Sequence, residues 1–372
     1  MWLTELCGFD WLAGEECKVM GLAAYGRFDP EIARRLEPLL WVEGLTLKQN
    51  LRAILDTLLW LQAYGRVPGD DPLKAANLAC TGQRFFRDRL LELIANLHHV
   101  CPQADLVLGG GCALNSAANG EIVANGPFRR LYVPSAPAAD GTALGAAWLA
   151  WRHDHPQQPL PSGPLSPYLG SAIDRGRLEA LLRHSGLAAR RHPDDLAATV
   201  AAELAAGRIV AWMQGRAEFG PRALGNRSIL AYPRDADMPR RLNAEVKFRE
   251  AFRPFAPAVL DECGPDWFED YQFSPCMERA LRFRPECRDR VPAVVHADGT
   301  GRLQSVRRDL NPRFHALIGA FRDRTGVLLL LNTSLNRMGK PMVHSVEDAL
   351  ALLLTSGIDL LVIDDWLVRK PA

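Results

Sequence analysis

The segment from Gly215 to Arg253, GRAEFGPRALGNRSILAYPRDADMPRRLNAEVKFREAFR, carries eight arginines and one lysine. Its one short apolar run is Ser228 to Ala231. Buried guanidinium groups are costly without partners, so a core segment is not built this way. Gly215, Gly220, Pro221 and Gly225 interrupt it, which excludes a single solvated helix. Fixed cations on a glycine-punctuated turn suit a pocket for a small polyanion. The segment reads as a site rather than a scaffold.

The scaffold is read from periodicity. From Leu45, the residues Leu47, Leu51, Ile54, Leu55, Leu58 and Leu59 recur at the helical period. A second helix starts after Asp70 and Asp71 with Pro72 in its first turn. His98 and His99 near its end suit a helix carboxy-terminal dipole better than a metal. Asp105 to Leu108 is a short strand running into Gly109, Gly110 and Gly111, and a helix begins near Asn115. Such a turn exposes backbone N–H groups to an anion, although many α/β turns use glycine without one. A second unit follows: a strand from Arg130 to Val133, a proline loop, and Asp140-Gly141-Thr142 opening a helix through Trp151. Residues 153 to 167 are rich in proline and polar residues and read as a linker.

Beyond the linker the pattern is α+β. Helices are expected at Asp174 to Ser185, Asp194 to Ala206, Met238 to Val246, Pro312 to Thr325 and after Ser345. Strands are expected at Ile209 to Met213, Ser228 to Ala231, within FRPFAPAVL, and at Val291 to His296. Arg302 to Val306, Val327 to Leu331 and Leu360 to Ile363 complete the strand set. The turn Asp298-Gly299-Thr300-Gly301 suggests a hairpin, and Gly264 to Asp289 an irregular excursion.

Composition excludes several classes. A chain of 372 residues, 48% hydrophobic, can bury a sizeable core and suggests two domains. A net charge of +1 gives no global attraction to nucleic acid or anionic membrane. The arginines are broken by glycine and proline without stacking aromatics, which also argues against a nucleic-acid partner. The eight cysteines show no zinc-ligand spacing and read as reduced thiols of a cytoplasmic protein. No apolar run reaches the length of a membrane helix.

Six blocks in order resemble the O-carbamoyltransferases, the group of nodulation, cephamycin and aminoglycoside carbamoyltransferases. They are KVMGLAAYG from Lys18, GGGCALN from Gly109, PSAPAADGTALGAA from Pro134, GRAEFGPRALGNRSILA with VKFRE and FRPFAP, HADGTGRLQSV from His296 and LNTSLN from Leu331. The resemblance implies the carboxy-terminal lobe of an actin/Hsp70/sugar-kinase-like (Kae1-like) α/β domain over 1–152. A YrdC-like α+β domain with a mixed twisted sheet would follow over 168–372. In the family KVMGLAAYG lies well inside the first domain, and none of the nine histidines here is spaced four from another. The chain is therefore expected to lack the amino-terminal lobe with its His-x-x-x-His metal motif.

The implied activity couples carbamoyl phosphate with ATP as carbamoyl-adenylate, then passes the carbamoyl group to a hydroxyl of a small molecule. The acceptor would be a sugar, a nodulation factor or an antibiotic-like metabolite. Cations must hold phosphates and the charge shifted onto leaving groups. Arg222, Lys247, Arg253 and Arg302 are assigned that role. Asn332 and Ser334 suit the carbamoyl amide or the phosphates. His296 and Asp298 either line the pocket or hold a turn. Gly109, Gly110, Gly111 and Asn115 are the nucleotide-side candidates. Asp140 caps a helix or, by resemblance, binds a metal. ATP with Mg²⁺, and Fe²⁺ or another divalent metal in the first domain, are the implied cofactors. A homodimer or a separate amino-terminal lobe is the implied protein partner. Two alternatives stay open: a truncated or degenerate paralogue that binds nucleotide without turnover, and a threonylcarbamoyl-adenylate synthase-like enzyme.

Overall fold

The computed structural model describes residues 1–67, 69–159 and 165–370. Thirteen strands are distributed very unevenly among these residues. The first part holds two small sheets. One is an antiparallel hairpin of β1 (Leu40–Glu43) and β2 (Thr46–Gln49); the other is a parallel pair of β3 (Asp105–Val107) and β4 (Arg130–Tyr132). The rest form one nine-stranded mixed sheet: β5 (Ala188–Arg191), β6 (Val210–Met213), β7 (Arg227–Ala231), β8 (Ala256–Leu260), β9 (Arg279–Arg282), β10 (Thr300–Val306), β11 (Leu329–Ser334), β12 (Leu360–Ile363) and β13 (Trp366–Arg369). Their spatial order is β5-β13-β12-β6-β7-β11-β8-β10-β9. Only β12–β6 and β10–β8 pair in parallel.

The central strands β6, β7, β8 and β12 are buried at every position, as continuous apolar runs require when both faces are covered. Helix Pro312–Thr325 is capped by the Asn311 side chain and ends on Gly326 in a left-handed conformation. It packs on helix Leu196–Ala205, and Phe314, Leu317, Ile318 and Phe321 enter the core beside the sheet. The 25-residue helix Ala76–Val100 organises the first part and packs on helix Glu16–Ala23.

Several expectations are corrected. The helix expected from Leu45 begins at Leu51, because residues 40–49 turn through Gly44 as a hairpin and Asn50 caps the helix. Val291 to His296 is not a strand: Pro292–Val294 form a 3₁₀ turn. The hairpin partner of β10 is instead β9, from within the segment read as irregular. The helix from Met238 changes to a π-helix over Leu242–Lys247, ending at Phe248 with φ of 49°. Residues 160–164 of the expected linker lie outside the described residues. Residues 153 and 154 end the helix Thr142–Asp154, and the Pro167 carbonyl accepts the Phe219 N–H at 2.7 Å. All eight cysteines are free thiols. Among the described residues no helix is long and apolar enough to cross a membrane.

The two parts are joined by specific contacts. Phe252, from the arginine-rich segment, is buried in the apolar cluster of the first part, 6.0 Å from Phe9 ring to ring. Helix Ser116–Asn125 packs on β9, where Asn119 Nδ2 donates to the Glu278 carbonyl at 2.9 Å. Gly120 permits this approach, since a Cβ there would sit 2.0 Å from the Ala280 carbonyl oxygen. Replacing Gly120 with valine should therefore lower stability by about 1–3 kcal/mol or more, read as a reduced urea midpoint.

Candidate active site

One cleft of about 310 Å³ lies between helix Glu16–Ala23 and the sheet. Each wall has a structural origin. The loop between β6 and β7 brings Arg222; the end of the π-helix and the segment after it bring Lys247, Arg249 and Arg253. The start of β10 brings Arg302, the turn before it His296 and Asp298, and the end of β11 Asn332 and Ser334. Loop residues Asn336 to Lys340 close one side. Seven cationic side chains line the cleft (Arg222, Lys247, Arg249, Arg253, Arg302, Arg337 and Lys340) against one carboxylate, Asp298.

The cations differ in what already satisfies them. Among the described residues, Arg222 and Arg302 make no side-chain hydrogen bond or ion pair, and Arg302 Nε is buried without a partner. Arg253 has a loose pairing with Glu250 at 3.7 Å. Arg249 is committed: its Nε donates to Asn243 Oδ1 at 2.8 Å, and its guanidinium lies over the Phe255 ring. Burial, and then repulsion from Arg222, push the Arg302 guanidinium well below its ordinary range. Burial does the same to Arg222, with Arg253 adding to it. A guanidinium keeps its proton in a protein, so the stress stays as electrostatic demand that a bound anion relieves.

Lys247 departs from the role expected of it. Its Nζ lies 2.6 Å from the Ser334 carbonyl, 3.1 Å from Ser334 Oγ, 2.9 Å from the Asn336 carbonyl and 2.7 Å from Asn336 Oδ1. Three ammonium hydrogens are shared among four oxygens, which leaves none for a substrate. The side chain is 3% exposed, and burial followed by Arg249 and Arg253 holds its pKa well below the usual value. Lys247 thus staples the loop after β11. Ser334 is likewise committed, its Oγ donating to Asn336 Oδ1 at 2.7 Å.

Two acceptors face the free cations. Gln304 Nε2 donates to the Leu224 carbonyl at 2.8 Å, which fixes the orientation of its amide. Its Oε1 then receives Asn332 Nδ2 at 2.9 Å, leaving Asn332 Oδ1 buried and unpartnered. Similarly, Thr300 Oγ1 donates to Asp298 Oδ1 at 2.7 Å and accepts from His296 Nδ1 at 3.2 Å. That assigns the proton to Nδ1 and leaves His296 Nε2 an open acceptor, buried without a partner. Burial lowers the His296 pKa from 6.5 to about 4, with Asp298 opposing and Arg302 reinforcing the shift.

Arg222, Lys247, Arg253, Arg302, His296, Asp298, Asn332 and Ser334 therefore share one cleft. Gly109, Gly110, Gly111, Asn115 and Asp140 do not line it. Asn115 caps helix Ser116–Asn125 and exchanges hydrogen bonds with Gln83 at 3.0 Å. Gly109 to Gly111 are largely exposed, with nothing within 4 Å of a Cβ placed on them. Asp140 is exposed, and its Oδ1 accepts the adjacent Gly141 N–H at 3.0 Å. Among the described residues no group of three His, Cys, Asp or Glu side chains could hold a metal ion. Asp140 stands outside any such group.

Sequence reading passed over Cys17 as a cleft residue, and also Arg249, Asn336, Arg337 and Lys340. For Arg249 the VKFRE block was the available signal; for Asn336 it was the second asparagine of LNTSLN. Arg227, inside the same cationic stretch, is fully buried and structural. Its guanidinium donates to the Gln214, Asn226, Ser171 and Gly215 carbonyls.

The Carbamoyltransferase N-terminus model matches residues 2–148, and the Carbamoyltransferase C-terminus model matches residues 201–370. The chain belongs to the carbamoyltransferase family. It is 38% identical to nodulation protein NolNO of Sinorhizobium fredii, across 96% of this chain and 53% of that protein. It is 36% identical to nodulation protein NolO of Bradyrhizobium diazoefficiens, across 96% of this chain and 66% of that protein. Nodulation protein U of Sinorhizobium fredii is 36% identical across 77% of this chain and half of the relative. The chain thus spans about half to two thirds of these relatives. The expectation that the amino-terminal lobe is lacking is not borne out, because the amino-terminal model matches here.

Two outcomes follow from the site. Lys247→Met should speed amide exchange across residues 334–340, where the carbonyls of 334 and 336 lose their donor, while exchange in β6 stays unchanged. For His296 the folded state resists a proton that the unfolded chain accepts. Its contribution to stability is intact above pH 6.5 and falls as pH drops toward about 4. His296→Asn should remove that part of the slope, measured as the difference in urea midpoints between pH 7 and pH 5.

Proposed function

We propose that the chain is an ATP-dependent O-carbamoyltransferase whose cationic cleft takes carbamoyl phosphate. One observation carries this reading: unsatisfied guanidinium groups of Arg222 and Arg302 share a cleft with the unfilled acceptors Asn332 Oδ1 and His296 Nε2. A simple phosphate site needs donors alone. A ligand with a phosphate at one end and an N–H₂ group at the other uses both sets. The arginines hold phosphate oxygens in forked hydrogen bonds and balance charge as it moves onto the leaving phosphate. Asn332 Oδ1 and His296 Nε2 receive the carbamoyl N–H groups and orient the carbonyl carbon. Membership of the family supports this reading.

In the same reading, ATP with Mg²⁺ is the second substrate: one water splits carbamoyl phosphate into carbamate and phosphate, and the carbamate oxygen attacks the α-phosphorus of ATP to give carbamoyl-adenylate and release pyrophosphate. A small molecule bearing a hydroxyl receives it. Residues 168–372 form the YrdC-like adenylating half and residues 1–152 belong to the Kae1-like transfer domain. The cleft roof on helix Glu16–Ala23 helps exclude water, which would otherwise hydrolyse the activated group.

With carbamoyl phosphate and Mg²⁺ present, the chain should exchange labelled pyrophosphate into ATP. Arg222→Ala or Arg302→Ala should slow that exchange more than about tenfold through lost charge stabilisation. Absence of exchange with folded protein would reject the adenylation step. Exchange driven by threonine and bicarbonate instead would move the chain to the threonylcarbamoyl class.

A further inference from the structure

Arg222 poses a question of placement. Among the described residues its side chain has no partner, so only the backbone beneath it fixes where its guanidinium stands. That backbone runs from Phe219 to Arg227 between β6 and β7, a stretch with little regular structure. Gly220 sits at φ of 132°, and a Cβ there would lie 2.1 Å from the Ser135 carbonyl oxygen, so the loop is pressed against a neighbouring segment. Gln304 and Tyr168 donate to its Leu224 carbonyl, while three of its backbone N–H groups converge on a single carboxylate oxygen.

Glu218 is 6% exposed and points back under its own loop. Its Oε1 accepts the backbone N–H of Leu224 at 2.7 Å, of Asn226 at 2.8 Å and of Arg227 at 3.1 Å. The bond to Leu224 closes a ring of residues 218 to 224 with Arg222 near its tip. The bonds to Asn226 and Arg227 tie that ring to the first residue of β7. Three N–H groups converge on this one oxygen, but burial outweighs them and raises the carboxyl's pKa, and Oε2 is buried without a partner. Glu218 touches neither the cleft nor anything that would bind in it.

We propose that Glu218 is a positioning residue of the anion cleft, and that its Oε1 holds the 219–227 loop in the ring that presents Arg222. This rests on the reading of the cleft as a phosphate site. It adds a residue that acts on the anion only through Arg222. Charge opposite the arginine is not the device, since no ion pair joins the two side chains. An amide oxygen in the same place should serve nearly as well, because the work is done by acceptance of N–H groups.

The experiment is calorimetric titration of the full chain with inorganic pyrophosphate, for the wild type and a double-mutant cycle. Arg222→Ala should weaken binding by roughly tenfold or more. Glu218→Ala should weaken it comparably, and the double variant should bind no more weakly than Arg222→Ala alone, since both remove the same contact. Glu218→Gln should restore most of the loss. Additive losses, or wild-type binding by Glu218→Ala, would overturn the inference while leaving the phosphate reading intact. Failure of the wild type to bind pyrophosphate would instead overturn the phosphate reading. If Glu218→Ala does not fold by circular dichroism, Glu218→Asp takes its place, its carboxylate drawn back by one methylene. Coupling to Arg222→Ala then supports the inference, and additivity sinks it.

Discussion

Repulsion among like charges is the constraint the carboxy-terminal part of this protein is built to withstand. Seven cationic side chains line a cleft with a single carboxylate among them. Coulomb energy between neighbours at such separations is worth kilocalories even at an intermediate dielectric. The fold does not cancel the charge with a matching set of acids. It fixes three of the segments that carry cations by hydrogen bonds to groups of the protein itself. Glu218 holds the loop of Arg222, Lys247 holds the loop after β11, and Asn243 holds Arg249. The cations cannot swing apart, so the unmet field remains concentrated where a polyanion would enter.

The junction between the two parts follows the same logic at a larger scale. Lys18, from the first part, bridges Glu15 at 2.6 Å and Glu250 at 2.7 Å. Burial opposes ionisation of Glu250, but Lys18 outweighs it and draws the carboxyl below its ordinary value. Glu250 is thus shared between Lys18 on one oxygen and Arg253 on the other. Two residues further on, Phe252 is buried in the apolar cluster of the first part. A charged tether and an apolar anchor two positions apart thus fix the segment that carries Arg249 and Arg253, and place helix Glu16–Ala23 as the roof of the cleft.

Much of this was legible in the residues, and the failures have physical causes. Helix Pro312–Thr325 carries its own start and stop signals, Pro312 after Asn311 and Gly326 at the end, so its bounds needed no tertiary information. Strand β9 was passed over because RALR lacks both alternation and an apolar run. It is a strand only because the first residues of β10 lie beside it. The helix expected from Leu45 was too long because Leu47 fits the helical period by coincidence. Gly44 turns the chain there, and the hairpin takes Leu47 instead. Asp140 was expected to cap the helix or bind a metal; its Oδ1 accepts the adjacent Gly141 N–H, and helix Thr142–Asp154 starts without a side-chain cap.

The order of the motif blocks, the arginine-rich segment and the helical stripes are properties of the chain read alone. They determined the family and most of the cations that line the cleft. Which cation is free and which is spent was decided only by tertiary structure. Lys247 and Arg222 look equally suited in one dimension, yet four oxygens from residues 334 and 336 close around the first and none around the second. Those oxygens lie 87 and 89 positions away along the chain. Local sequence cannot count the hydrogen-bond partners of a buried group, because folding supplies them from distant strands.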